Sequence, residues 1–171
     1  IATISFGQII HKRKLSMLGS PFEMTVVAKD TVQGNQYIDL GIAEVKRIEY
    51  LISDWIPSTQ ISKVNQNAGI KPIKVDKEVY DLVERAIKVS QITSGAFDIS
   101  YASMDKIWKF DGSMKQMPTE EAIKKSISKI GYKNIILDPK GQTIFLRKEG
   151  MKLGLGGIGQ GYIADKVKEL L

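Results

Sequence analysis

The sequence predicts an α+β fold in which a mixed, largely antiparallel sheet is packed with helices. Three observations lead to it. Runs rich in β-branched residues lie near both ends of the chain and are joined by turn sequences short enough for hairpins. Apolar residues at helical spacing fill the stretches between them. Strands and helices do not alternate as the regular βαβ series that a parallel sheet requires. The 171 residues, 43% of them hydrophobic, suffice for one full core, and no repeat or low-complexity linker divides them, so residues 1–171 read as a single domain.

Thr3 to Ile10 and Phe22 to Ala28 read as two strands joined through the turn Met17 to Pro21. From Gln36 to about Ser53, Ile38, Ile42, Val45, Ile48 and Ile52 recur at the spacing of a long amphipathic helix. Asp54 to Thr59 breaks it and leaves Trp55 at a corner, Ile61 to Asn65 is a short helical turn, and Asn67 to Pro72 is a loop. Asp76 is the expected N-cap of a second long helix, with Val79, Leu82, Val83, Ala86, Ile87 and Ser90 facing inward and Gly95 as its stop. Thr119 caps a third helix with Glu120 and Glu121 in its first turn, and Gly131 ends it. Asn134 to Leu137 and Gln142 to Arg147 flank Asp138-Pro-Lys-Gly141, a hairpin turn. A third apolar stretch, Met151 to Leu155, leads into a glycine cluster, and the tail from about Ile158 places Ile163, Val167, Leu170 and Leu171 on one face. That face is still running at Leu171 without a cap, so the expectation is an incomplete domain.

Composition removes several chemistries. Without cysteine there is no disulfide, thiolate metal site or cysteine nucleophile, and with His11 as the sole histidine there is no histidine triad or multi-histidine metal site. The net charge of +6 is spread over lysine-rich faces. Its one compact cluster, His11 to Lys14, reads as a solvated strand end, and without a nucleic-acid motif or neighbouring aromatics no nucleic-acid partner is expected. No apolar stretch reaches the ~20 residues that span a bilayer.

Four segments can carry chemistry. Five glycines fall between residues 154 and 161 ahead of a helix, where backbone can approach a phosphate and unpaired amides lie at a positive helix end; the alternative is a tight turn with glycines for close packing. Gly154-Leu-Gly-Gly-Ile-Gly159 also fits the dinucleotide pattern G-x-G-x-x-G, but the acidic residue expected ~20 positions later falls past Leu171 and a hairpin precedes it. Thr93 to Asp98 is a glycine turn that either presents Phe97 and Asp98 to a ligand or is an ordinary helix C-cap with Phe97 in the core. Trp55 suits stacking on an aromatic ligand or a place in the core, and Met17 to Ser20 either lies against a ring or merely reverses the chain.

Taken in order, these segments resemble the FAD:protein FMN transferase family, also called ApbE. Leu18-Gly-Ser20 is similar to its Met-Gly-Thr turn. Ser53-Asp-Trp55 followed by Thr59-Gln-Ile-Ser-Lys-Val-Asn65 is similar to its Ser-aromatic and Ser-x-Ile-Ser-x-x-Asn segments. Ser94-Gly-Ala-Phe-Asp98 matches its Ser-Gly-Ala-Phe-Asp element, Trp108-Lys-Phe110 its Trp-x-Phe segment, and Gly154 to Asp165 its Asp-Leu-Gly-x-Ile-x-Lys-Gly-Tyr-x-x-Asp segment. The resemblance implies an enzyme that uses FAD and Mg²⁺ to attach FMN through a phosphoester to a Thr or Ser of a partner flavoprotein, releasing AMP. FAD hydrolysis to free FMN and AMP, and a non-catalytic flavin- or partner-binding protein, remain alternatives. Carried over, Leu18, Trp55, Ala96, Phe97, Asp98, Gly154 and Gln160 contact FAD, and the Gly157 carbonyl is a metal ligand. Gly154 stands where the family commonly has aspartate, and Gln160 where it frequently has lysine. The segment supplying the family's side-chain metal ligands, and its catalytic region, have no counterpart here, so no catalytic residue is assigned. Asp111-Gly-Ser113 is only a partial acceptor motif, so self-flavinylation is not expected. The resemblance further implies the periplasmic face of the inner membrane, with any lipid anchor outside this chain.

Overall fold

A computed structural model describes residues 7–108 and 111–171. The Thr3 to Phe6 part of the strand expected over Thr3 to Ile10, and Lys109 and Phe110 of the Trp-x-Phe segment, lie outside the described residues. The chain forms two compact units, one from the part up to Tyr50 with Gly159–Leu171 and the other from Leu51–Ile158. Both carry antiparallel sheet and helix, which is the predicted class. Among the described residues the single expected sheet resolves into two, of two and three strands.

In the first unit, β1 (Ile9–Met17) pairs antiparallel with β2 (Ser20–Ala28) around a two-residue turn. Leu18 and Gly19 both have positive φ, 55° and 71°, the requirement of the mirror-image turns that match strand twist. β1 therefore runs straight through the basic cluster, which is no solvated strand end. Strand alternation divides it: Lys12 and Lys14 are exposed beside Glu23, while His11 and Arg13 turn toward α1 (Thr31–Ile52). There the Asn35 side-chain oxygen meets His11 Nε2 at 3.0 Å and accepts from Arg13 at 2.7 Å, and Arg13 also pairs with Asp39. α1 starts five residues ahead of the Gln36 that periodicity suggested, because the Asp30 carboxylate accepts from the Gln33 amide at 2.8 Å and starts it there. Met24, Val26 and Ile38 form a buried apolar cluster in this unit. Gly41 allows the close approach, since a Cβ there would fall 2.7 Å from the Met24 side chain and 3.2 Å from Val167. Val167 belongs to α5 (Gly156–Leu170), which begins two residues before the expected Ile158. Of that helix's apolar face Ile163 is buried, whereas Leu170 and the following Leu171 are exposed.

In the second unit, Thr59 caps α2 (Gln60–Gln66) by accepting from the Ser62 amide at 3.0 Å, and donates its own hydroxyl proton to the Ser53 carbonyl at 2.6 Å. A short strand that periodicity did not reveal, β3 (Ile73–Lys74), pairs with β5 (Thr143–Leu146), which pairs with β4 (Ile135–Asp138), all antiparallel. Two residues are too few to show alternation. α3 (Lys77–Ile92) buries Val79, Leu82, Val83, Ala86 and Ser90 as expected, and leaves Ile87 half-buried. Asp76 has the extended cap backbone, yet its carboxylate takes the Gln60 amide instead of capping the helix. α4 (Glu120–Ser126) is capped by Thr119 and stops before Gly131, which instead leads into a short 3-10 turn. Met151, Leu153, Gly154 and Leu155 are buried while Lys152 is exposed, and the segment belongs to no strand.

Gly69 shows what this unit tolerates least. Its φ is +76° and a Cβ would lie 2.8 Å from the Glu149 backbone, so Gly69→Ala combines left-handed strain with a clash that no rotamer relieves. Urea unfolding of that variant should show a loss of about 1–3 kcal/mol. Tyr80 gives a pH signature: its phenol is pushed above its ordinary value by burial, and further by the charges of Glu84, Asp138 and Asp81. A raised folded-state value stabilises the protein fully below the unfolded value of 10.0, and that contribution is lost as pH rises through the folded value. Urea midpoints measured across the alkaline range should fall more steeply for the wild type than for Tyr80→Phe.

Candidate functional site

The site begins at the end of α3. The Ser94 amide donates to the Gln91 carbonyl at 3.1 Å and the Gly95 amide to Ser90 at 2.8 Å, the two bonds of a Schellman ending. Both residues are left-handed, with φ of 52° at Ser94 and 87° at Gly95. This reversal delivers Ala96, Phe97 and Asp98 to the start of a 3-10 helix, Ile99–Ser103. Phe97 is half-buried, so it is neither core nor fully presented.

Asp98 is tightly occupied. Its Oδ1 accepts from the Ser100 amide at 2.8 Å and the Ser100 hydroxyl at 2.6 Å, and its Oδ2 accepts from the Tyr132 amide at 2.8 Å. The Ser100 hydroxyl oxygen in turn accepts from the Gly131 amide at 2.8 Å. A carboxylate offers about four acceptor positions, so one remains, on Oδ2.

The glycine segment approaches the same turn. Gly154 donates its amide to the Ile99 carbonyl at 2.9 Å, and a Cβ at 154 would press on Ala102 Cβ at 3.0 Å and on Tyr101 Oη at 3.1 Å. None of the five glycines from 154 to 161 has positive φ. Gly154 serves close packing and Gly156 and Gly157 a helix start, not the left-handed backbone that a looped phosphate cradle would need. Gly156 and Gly157 form the exposed first residues of α5, where amides are free. The Gly157 carbonyl points along the helix toward the amide of Gly161, as in any α-helix.

Ala96, Phe97, Asp98, Tyr101, Gly154 and Gly157 line one cavity of about 410 Å³. Trp55 is 81% exposed, which rules out a place in the core, and stands at a second cavity of about 520 Å³ whose lining includes Asn65, Tyr101, Lys106 and Lys152. The Lys106 ammonium lies 5.4 Å from the Trp55 ring centre. Tyr101 borders both cavities. Leu18 and Gln160 line a cavity of about 630 Å³ in the first unit. Five of the eight residues selected from sequence thus share one cavity, Trp55 stands at its neighbour, and two belong to the other unit.

No group of three His, Cys, Asp or Glu among the described residues could hold a metal ion. A helix start that offers amide hydrogens does not attract a cation either. The residues described therefore supply no such cluster toward the Mg²⁺ that the sequence resemblance implies, and the Gly157 carbonyl is the one ligand it assigns here. The partial acceptor motif is an Asx-type turn: the Asp111 carboxylate accepts from the Ser113 amide at 2.9 Å and is held below its ordinary value by hydrogen bonds from Ser113.

The ApbE family model matches residues 18–171. The chain belongs to the ApbE family. It is 28% identical over 162 residues to an FAD:protein FMN transferase of Klebsiella pneumoniae (strain 342), a match covering 95% of this chain and 50% of that protein. An FAD:protein FMN transferase of Buchnera aphidicola subsp. Baizongia pistaciae is 30% identical over 124 residues, 70% of this chain and 36% of its own length. The crystal structure of the ApbE protein from Thermotoga maritima superposes with a TM-score of 0.81 at 26% identity, covering 94% of this chain and 52% of that one. Flavin transferase ApbE from Vibrio cholerae, at 18% identity and a TM-score of 0.79, shares the fold. This ApbE-family chain spans about half the length of the first of these relatives.

Sequence reasoning did not single out Tyr101 or Ser103, and it quoted Asn65 only within a motif. Tyr101 and Ser103 carry no periodic signal in a short 3-10 helix, so only their contacts reveal them. Because Asp98 ties two turns together, Asp98→Ala should cost about 2–4 kcal/mol by chemical denaturation, which makes it a poor probe of ligand binding on its own.

Proposed function

We propose that this chain forms part of the flavin-nucleotide site of an FAD:protein FMN transferase, which moves FMN from FAD to a Thr or Ser hydroxyl of a partner flavoprotein and releases AMP. The observation that carries this reading is the pair of cavities meeting at Tyr101. One side offers an exposed aromatic with two lysines; the other offers the Ala96 to Asp98 turn beside the amide end of α5. A planar ring and a phosphate chain ask for these two kinds of surface.

In this reading Trp55 stacks on a ring of FAD, and Lys106 and Lys152 supply positive charge for the phosphates. Ala96 and Phe97 shape the wall, Asp98 offers its one remaining acceptor position to a ligand donor, and Gly154 and Gly157 keep the backbone low where side chains would fill the cavity. Leu18 and Gln160 are assigned to FAD by resemblance, Leu18 from a turn held at positive φ and Gln160 through its amide. In the transfer itself the acceptor hydroxyl gives up its proton to solvent as its oxygen bonds to the flavin-side phosphorus, the bridging P–O bond breaks, and AMP leaves with the electron pair of that bond. The residues described contribute binding and electrostatic stabilisation. No step is assigned to a metal held by them. The periplasmic location is likewise a proposal from resemblance, and no described helix is long and apolar enough to cross a membrane.

Titration with FAD, followed by tryptophan and flavin fluorescence, tests the reading. Trp55→Ala should retain stability within about 0.5 kcal/mol, because the ring is exposed, and should lose FAD affinity roughly two- to tenfold. Unchanged affinity in the folded variant removes Trp55 from the site. Product analysis of the complete protein with an acceptor flavoprotein then separates transfer, in which FMN ends attached to protein, from hydrolysis, in which FMN is free.

A further inference from the structure

Among the described residues the segment ahead of α5 pairs with no strand, and side chains bond its backbone instead. Ser103 Oγ accepts from the Lys152 amide at 2.8 Å and donates to the Lys152 carbonyl at 3.0 Å. The Asn65 amide does the same one residue on: its Oδ1 accepts from the Leu153 amide at 2.7 Å and its Nδ2 donates to the Leu153 carbonyl at 3.0 Å. These partners fix which end of the Asn65 amide is oxygen, because one backbone group is a donor and the other an acceptor. Asn65 lines the cavity of Trp55, and Leu153 immediately precedes Gly154 of the adjoining cavity. One half-buried side chain thus joins both halves of the site.

We propose that Asn65 is a positioning residue for the flavin-nucleotide site, fixing Gly154 and the first amides of α5 by acting as a two-pronged backbone mimic toward Leu153. This rests on the functional reading above and adds the element that sets its geometry. The role needs one donor and one acceptor on a planar group of this length. Alanine and leucine supply neither, a serine hydroxyl at this position is too short to span both Leu153 groups, and glutamine carries them one methylene too far out.

Asn65→Asp is the informative substitution. One carboxylate oxygen still accepts from the Leu153 amide, but the other faces the Leu153 carbonyl, oxygen against oxygen, unless it carries a proton. Protonation restores the donor, and the repulsion raises the carboxyl above its ordinary ~3.9. The variant should therefore bind FAD roughly tenfold or more weakly than wild type at pH 8 and recover toward wild-type affinity as pH falls to about 5. Wild-type affinity measured over the same range is the reference. Amide hydrogen exchange at Leu153 and Gly154 in the ligand-free protein should follow the same course, fast at high pH beyond the intrinsic rate change and protected again at low pH, with Ala86 in α3 unaffected.

A folded Asn65→Asp protein that binds FAD like wild type at every pH overturns the proposal. So does an affinity loss with no acid recovery, which would mark a merely structural defect. If Asn65→Asp does not fold, the same two measurements on Asn65→Ser, which keeps a donor and acceptor but cannot span both Leu153 groups, take its place, with normal affinity again overturning the proposal. Failure of wild-type protein to bind FAD instead overturns the functional reading, and the exchange data then decide whether Asn65 fixes the segment.

Discussion

The arrangement depends on how the backbone of Lys152 to Gly154 is satisfied. Met151, Leu153 and Leu155 are fully buried, so this segment passes through the interior of its unit, where an unpaired amide or carbonyl costs about 1–3 kcal/mol. A strand would solve the problem by pairing. Here five backbone groups are met instead by the Ser103 hydroxyl, the Asn65 amide and the Ile99 carbonyl. Apolar burial and polar satisfaction thus constrain the same few residues, and together they determine where α5 starts.

A second network governs the facing turn. Asp98 and Ser100 bind the amides of Gly131 and Tyr132, residues more than thirty positions away in sequence. The reversal after α3 tolerates a serine in the left-handed region because two helix-ending hydrogen bonds and this network hold it. Tyr101 stands between the two networks, close enough to Gly154 that a side chain there would press on its hydroxyl. The glycine at 154 and the tyrosine at 101 are therefore a matched pair: the space one leaves empty the other occupies. Trp55 depends on a third anchor, the Thr59 cap, whose hydroxyl both starts α2 and holds the Ser53 carbonyl.

Much of this was legible from the chain. Apolar residues at a 3.6-residue period announce long helices, which is why α1 and α3 were read nearly whole, and Asp138-Pro-Lys-Gly141 announces a hairpin through its backbone preferences. Errors arose where local and tertiary signals differ. The basic run His11 to Lys14 looked solvated, but Asn35 and Asp39 make half of it a part-buried polar seam along α1. Met151 to Leu155 reads as an apolar stretch because burial, not strand pairing, writes that pattern into sequence.

By itself the sequence determined the class of fold, the family, and the short segments worth attention, because periodicity, turn chemistry and motif order are properties of neighbouring residues. Only the tertiary structure decided what those segments do to one another. It made the glycine cluster a helix start with close packing at Gly154, put Trp55 at the surface, and made Asn65 the partner of Leu153, 88 residues away. A hydrogen bond across that separation leaves no local pattern in the chain, since its geometry exists only once two distant elements have packed.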